Sequence, residues 1–224
     1  MSQSRFKAVL FDLDGTLLDT LLDLANSVND ALRRLGFATH PTPAYRYFVG
    51  EGREIMALKS LPPDHRDPAT VNKLVALINQ EYSRQWAINT RPYPGIPELL
   101  DTLAGMDIRT AVLSNKADDI SKTMVAGLLG RWRFDVVRGA LNGVPKKPDP
   151  TAALQIANEL HLKPSEFIYL GDSDIDMKTA AAAGIYPVGA LWGFRTEEEL
   201  ARGGAKVLVK HPMELMKILR SERA

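Results

Sequence analysis

Phe6-Lys7-Ala8-Val9-Leu10-Phe11-Asp12-Leu13-Asp14-Gly15-Thr16 is the stretch on which the fold turns. The apolar run Ala8-Val9-Leu10-Phe11 is too short for an ordinary helix and lacks the alternation of a half-exposed strand. It reads as a strand over residues 6–11, buried on both faces. The strand stops at an acid. Asp12 and Asp14 are two apart, so in extended chain they point the same way. Gly15 and Thr16 allow close backbone approach, so that their N–H groups can point at an anion.

A strand buried on both faces needs neighbours, and the chain supplies them. Residues 108–113 form a second apolar run, ending at Ser114. Residues 134–137 form a third, and 167–170 a fourth that ends at Gly171-Asp172; 185–191 and 205–209 are weaker candidates. Helical stripes lie between them: Leu99, Leu100 and Leu103; Ile120, Met124, Val125 and Leu128; Ala153, Leu154, Ile156, Ala157 and Leu160. Such alternation predicts an α/β fold, a Rossmann-like parallel sheet covered by helices.

Residues 17–90 break the alternation. Leu17, Leu21, Leu24, Val28, Ala31, Leu32 and Leu35 keep a helical period as far as Gly36. Further helix is expected over 55–61 and 71–86, separated by loops at Pro41-Thr42-Pro43 and Pro62-Pro63, and no strand is expected. The sequence therefore divides into a core of residues 1–16 and 91–224 and an inserted all-helical domain of residues 17–90. The insertion leaves through the stiff stretch Arg91-Pro92-Tyr93-Pro94-Gly95-Ile96-Pro97.

Composition narrows the function. The 224 residues carry a net charge of +1 and no cysteine. Disulfides, thiolate metal sites and thiol nucleophiles are excluded. Charge balances within 17–90 as well as outside it, which offers no basic surface for nucleic acid or membrane. The start of the chain has no leader-like apolar stretch. The longest uncharged run, residues 179–194, is too short for a bilayer, and Gly184, Pro187, Gly189 and Gly193 break it. A cytoplasmic protein is expected, as monomer or homodimer.

In open α/β sheets ligands sit beyond the carboxyl ends of the strands. Asp12 and Asp14 lie there, as do Ser114, Asn115 and Lys116, and Asp172, Ser173, Asp174 and Asp176; the loop Val144-Pro145-Lys146-Lys147-Pro148-Asp149-Pro150 joins them. Clustered carboxylates raise each other's pKa unless a cation intervenes. His40, His65, His161 and His211 stand apart, so the donors are hard oxygens, which suit Mg²⁺. Lys147, Ser114 and Asn115 can hold an anion beside that metal. The whole reads as a phosphoryl-transfer site, in which a carboxylate can attack phosphorus. Asp172-x-Asp174-x-Asp176 is not a calcium-binding EF-hand loop, because Met177 and Ala183 stand where glycine and glutamate are required. Gly50-Glu51-Gly52 lacks the third glycine of a dinucleotide fingerprint and follows no strand. Ser114 could equally cap a helix. Asn26 and Asn29 are expected to face solvent, and Trp192 and Phe194 to pack rather than stack on a base.

Asp12-Leu13-Asp14-Gly15-Thr16, the Ser114 strand end, Lys147-Pro148 and Gly171-Asp172-Ser173-Asp174-Ile175-Asp176 together resemble the four motifs of the haloacid dehalogenase-like hydrolases. Leu18-Asp19-Thr20, Val49-Gly50-Glu51-Gly52, Tyr93-Pro94-Gly95 and Lys146 to Pro150 are similar to the phosphoglycolate phosphatase and β-phosphoglucomutase branch, whose helical cap the insertion resembles. The resemblance implies a Mg²⁺-dependent phosphatase acting on a small phosphorylated metabolite, phosphoglycolate first among them. It implies Asp12 as nucleophile and metal ligand. Asp14 becomes general acid and base and ligates through its backbone carbonyl, and Asp172 is the third ligand. Gly15, Thr16, Ser114, Asn115 and Lys147 would bind the phosphoryl group. Asp176 and Ser173 would support Lys147 or a metal-bound water, and Arg53 is a candidate substrate contact in the cap. Asp14 also favours phosphate chemistry over dehalogenation. A phosphosugar mutase, a pyrophosphatase or nucleotidase, and a phosphate-binding regulator remain alternatives.

Overall fold

The computed structural model describes residues 5–221. Residues 1–4, on which the expectation of a leader-free start rests, and 222–224 lie outside them. Asp19–Arg91 forms one compact unit and the segments flanking it in sequence form the other.

The flanking unit is an α/β sheet of six strands, every pairing parallel. Its strands are β1 (Ala8–Phe11), β4 (Arg109–Ala117), β5 (Val136–Ala140), β6 (Phe167–Gly171), β7 (Tyr186–Ala190) and β8 (Val207–Val209). The two-residue strands β2 (Leu18–Asp19) and β3 (Arg91–Pro92) pair separately where the chain leaves and re-enters this unit. The order across the sheet is β5-β4-β1-β6-β7-β8. After β1 the chain builds outward through β4 and β5, then crosses back to add β6 on the other side of β1. The switch point thus falls at β1, and the ends of β4 and β6 flank its own. Ala8, Val9, Leu10 and Phe11 are all fully buried, which explains why they form an unalternating run.

Helices α4 (Ile96–Ala104), α5 (Asp118–Leu128), α6 (Thr151–Glu159), α7 (Asp174–Ala183), α8 (Glu197–Gly203) and α9 (Leu215–Ser221) complete this unit. Ala153, Ile156 and Ala157 of α6 join Ala180 and Ala183 of α7 in one core cluster with Ala8, Leu10 and Tyr169. Leu154 departs from its expected place in the α6 stripe: it is 40% exposed, one position off the buried face. Among the described residues no helix is long and apolar enough to cross a membrane.

The second unit is helical: α1 (Leu21–Arg34), α2 (Arg53–Ser60) and α3 (Pro68–Gln85). Asp67 caps α3, accepting from the N–H groups of Ala69 and Thr70 at 3.0 Å each, with Pro68 in the first turn. Pro41-Thr42-Pro43, expected as loop, leads into the 3₁₀ helix Thr42–Tyr47, because proline in a first turn is already set for it. Leu17 does not belong to α1. The N–H groups of Leu17 and Leu18 both donate to the Leu13 carbonyl, so the turn after β1 uses their backbone and the helix starts later. Leu18–Asp19, where no strand was expected, forms β2. Asn29 does not merely face solvent. Its side chain bonds both the N–H and the carbonyl of His40 and accepts from the Tyr45 hydroxyl at 2.6 Å.

Asp23 ties the start of α1 to the unit's exit. Its carboxylate, 1% exposed, accepts from the N–H and side-chain amide of Asn89 and from the N–H and hydroxyl of Thr90 at 2.7–3.1 Å. Burial would raise its pKa, but these hydrogen bonds overcome that and hold it below the ordinary aspartate range. Asp23→Ala leaves the buried N–H and hydroxyl of Thr90, and the half-buried N–H and amide of Asn89, without their acceptor, so urea melts should show a loss of about 1–3 kcal/mol. A depressed folded pKa gives stability that is complete above the unfolded value of 3.8 and is lost as the pH falls below it. The gap between wild type and variant should therefore close in acid.

Candidate active site

The carboxyl ends of β1, β4 and β6 bring together residues far apart in sequence. Asp12 follows β1 and is 8% exposed. Its Oδ1 accepts from Lys147 Nζ at 2.8 Å and from the Leu13 N–H at 2.7 Å. Lys147 Nζ also reaches Asp176 Oδ1 at 2.7 Å and the Leu113 carbonyl at 3.2 Å. Its backbone is clamped by Asn115, whose Oδ1 accepts the Lys147 N–H and whose Nδ2 donates to the Lys147 carbonyl. Lys147 lies in the loop that leads into α6, which begins at Thr151. Asn115 is what fixes it.

Asp176 is fully buried and its oxygens are divided between partners. Oδ1 takes Lys147 and, at 3.2 Å, the Tyr169 hydroxyl; Oδ2 takes the N–H and hydroxyl of Ser173. Ser173 in turn caps α7 by accepting the Asp176 N–H. Asp172 is 1% exposed; its Oδ1 accepts the Thr16 hydroxyl and its Oδ2 the Phe194 N–H at 2.7 Å. Gly15, at φ +85°, stands where a Cβ would come within 2.3 Å of Asp172 Oδ2, so no other residue fits the turn unchanged. The Gly15 N–H was expected to point at a phosphate, but it donates to the Leu18 carbonyl and closes that turn. Trp192 donates its ring N–H to the Thr16 carbonyl at 3.0 Å, and Phe194 is buried.

Ser114 is neither the end of its strand nor a helix cap: β4 continues to Ala117, which is itself the residue preceding α5. The continuation delivers a residue that the sequence reading gave no role. Lys116 is 8% exposed, and its Nζ lies 2.8 Å from Asp14 Oδ1. Tyr169 was missed as well. Reading β4 past Ser114 with period-two alternation would have grouped Lys116 with Ser114; nothing in the pattern of β6 singled out Tyr169 from its apolar neighbours. Arg53 opens α2 in the helical unit and donates to Asn79 Oδ1 there. Asp174 pairs with Lys178 on the surface of α7.

The electrostatics follow from this crowding. Burial first, then Asp176, pushes the Asp12 carboxyl well above the usual range, with Lys147 pulling the other way. Burial and Asp176 likewise raise Asp172 to about 7. Burial would lower the Lys147 ammonium, yet Asp12 and Asp176 outweigh it and hold the pKa well above that of an ordinary lysine. Carboxylate oxygens of Asp12, Asp172 and Asp176 lie within 4.8 Å of one another, a set that could hold a metal ion. The donors are all hard oxygen, and Asp176 is already occupied by Lys147, Tyr169 and Ser173. Asp12 and Asp172 are the members of the set whose carboxylates no helix cap engages, and as hard-oxygen donors of the kind that suits Mg²⁺ they could hold a divalent cation.

A parallel sheet with a lysine-held carboxylate beyond its first strand and a second acid two residues on defines a class of hydrolases that act at phosphorus or a similar centre. The chain belongs to the haloacid dehalogenase-like hydrolase family, which matches residues 9–190. It is 30% identical over 216 residues to a phosphoglycolate phosphatase of Nitrosospira multiformis, covering 95% of each chain. It is 31% identical to an N-acetylmuramic acid 6-phosphate phosphatase of Pseudomonas aeruginosa, covering 98% of this chain and 97% of that one. A solved structure from Lactobacillus delbrueckii superposes with a TM-score of 0.89 at 28% identity, over 96% of this chain and 99% of that one.

Proposed function

We infer that this chain is a phosphatase, a phosphoric monoester hydrolase that works through an aspartyl-phosphate on Asp12. One observation carries the reading: a buried carboxylate at the β1 end, fixed by Lys147 at 2.8 Å, with Asp14 two residues on. A carboxylate oxygen of Asp12 attacks phosphorus. The new P–O bond forms as the bond to the substrate's ester oxygen breaks, and Asp14 gives that oxygen a proton. Water then attacks the phosphorus of the aspartyl-phosphate and yields a proton to Asp14. The bond to Asp12 breaks, and inorganic phosphate leaves. Ser114 and Lys147 hold the phosphoryl oxygens, Asn115 keeps Lys147 in place, and Asp176 with Ser173 keeps its ammonium charged and aimed. The carboxylates of Asp12 and Asp172 and the backbone carbonyl of Asp14 would hold Mg²⁺, which when bound supplies positive charge against the phosphoryl oxygens. The inserted helical unit is read as the cap, and the cysteine-free chain fits a cytoplasmic setting.

Phosphoglycolate is the substrate we put first, because relatives carrying that activity align along nearly the whole chain. An amino-sugar 6-phosphate is the second reading, favoured by the equally complete match to the N-acetylmuramic acid 6-phosphate phosphatase. A panel holding both, with β-glucose 1-phosphate, pyrophosphate and nucleoside monophosphates, ranks them by kcat/KM. Phosphoglycolate should lead. A lead for the amino sugar selects the second reading, and formation of glucose 6-phosphate in place of free phosphate would make the enzyme a mutase.

A further inference from the structure

Asp14 carries both proton steps above, and among the described residues its carboxylate meets a buried ammonium. Its Oδ1 is buried, and among the described residues no hydrogen-bond donor is aligned on it. What meets it is charge: Lys116 Nζ at 2.8 Å, with the two side chains 6% and 11% exposed. Lysine is almost never this buried unless paired, because taking an ammonium out of water costs several kcal/mol.

The fold confines that lysine from every side. The pairing of β1 with β4 ends at Val112, but β4 runs on and rejoins β5 at Ala117 after a shift in register. Lys116 lies in this overrun. Its N–H donates to Ser114 Oγ at 3.2 Å, and its carbonyl accepts from Ser121 Oγ at 3.4 Å. A Cβ on Gly139 of β5 would stand 2.5 Å from that carbonyl, so the close approach of the two strands requires glycine there. At the tip, Nζ lies 3.4 Å from the Met124 sulfur of α5. A flexible four-carbon stem with both ends held delivers its charge to one point.

We propose that Lys116 is a positioning residue for Asp14: it fixes Oδ1, leaving Oδ2 as the oxygen that gives a proton to the departing ester oxygen and takes one from the attacking water. The proposal rests on the proton-transfer role already given to Asp14. It has a consequence that a structural role lacks. An alkoxide needs that proton as the P–O bond breaks, whereas a nitrophenolate departs without it. Misplacing Asp14 should therefore punish substrates by leaving group.

The test measures kcat/KM of wild type, Lys116→Met and Lys116→Arg on p-nitrophenyl phosphate and on the best alkyl phosphomonoester of the panel. Lys116→Met should lose about 10²–10³-fold on the alkyl ester and roughly tenfold or less on the aryl ester. Lys116→Arg keeps the buried charge and the fold. Its planar fork cannot put a nitrogen at the same point, so the same selectivity should appear at about tenfold. The ratio between substrates is internal to each variant, so a smaller folded fraction lowers both rates alike and cancels. An unchanged ratio in both variants overturns the proposal and leaves the phosphatase reading standing. Wild-type enzyme that turns over neither ester removes that reading, and this one with it.

Discussion

Asp12→Asn should lower turnover of every phosphomonoester by roughly 10⁴-fold or more while the protein stays folded. That is about 5 kcal/mol of transition-state stabilisation from one oxygen exchanged for an amide nitrogen. The loss is large because asparagine is no nucleophile toward phosphorus. The fold survives for an equally local reason. The amide oxygen can still accept from Lys147 and Leu13, and Lys147 keeps its ion pair with Asp176. One negative charge also leaves a cluster in which burial and Asp176 already disfavour it. Phosphate release under saturating substrate checks the rate, and a urea melt checks the fold. A variant keeping a hundredth of wild-type turnover would move the nucleophile elsewhere.

Much of this site was legible because parallel sheets write themselves plainly. A strand buried on both faces must be an apolar run, and the residue at which the run stops is the residue at the catalytic edge. Ala8 to Phe11 stopping at Asp12, and Phe167 to Leu170 stopping at Gly171-Asp172, show the rule working. At β4 the same rule misled. The strand does not stop where its apolar residues do, since Asn115 and Lys116 are buried by pairing with Lys147 and Asp14 rather than by hydrophobicity. Polar burial leaves no period to read. The Gly15 N–H was misjudged for a related reason: whether a backbone donor faces a ligand or closes its own turn depends on a carbonyl, here that of Leu18, which every residue possesses. Asn29 shows the same limit in the helical unit, where three polar contacts hold a side chain that helical spacing alone assigns to solvent.

Asp172→Asn should cost catalysis yet make the metal-free protein more stable, most of all above neutral pH. Asp172 is 1% exposed, and burial together with Asp176 places its pKa at about 7 against 3.8 for an ordinary aspartate. Between those two values the folded protein binds a proton that the unfolded chain has released. Raising the pH through that window therefore withdraws stability, and above about 7 the loss is complete. In chelator, the wild type should lose on the order of 2–4 kcal/mol from this group between pH 4 and pH 8, roughly 5–10 °C in Tm. Asparagine has no proton to lose. Its carbonyl oxygen can accept the Phe194 N–H and its amide can donate to the Thr16 hydroxyl, so both native contacts have a counterpart. Melts of the two proteins in chelator should thus diverge as the pH rises, with the variant the more stable at pH 8. Added Mg²⁺ should reverse their order, because binding to the folded state alone adds stability and the variant lacks one of the ligands proposed for it. Parallel melting curves at every pH in chelator would show that Asp172 is not the strained carboxylate. A variant that responds to Mg²⁺ as strongly as the wild type would show that it is not a ligand. The two outcomes test separate claims: that this edge of the sheet stores repulsion, and that a cation relieves it where phosphate chemistry needs the charge.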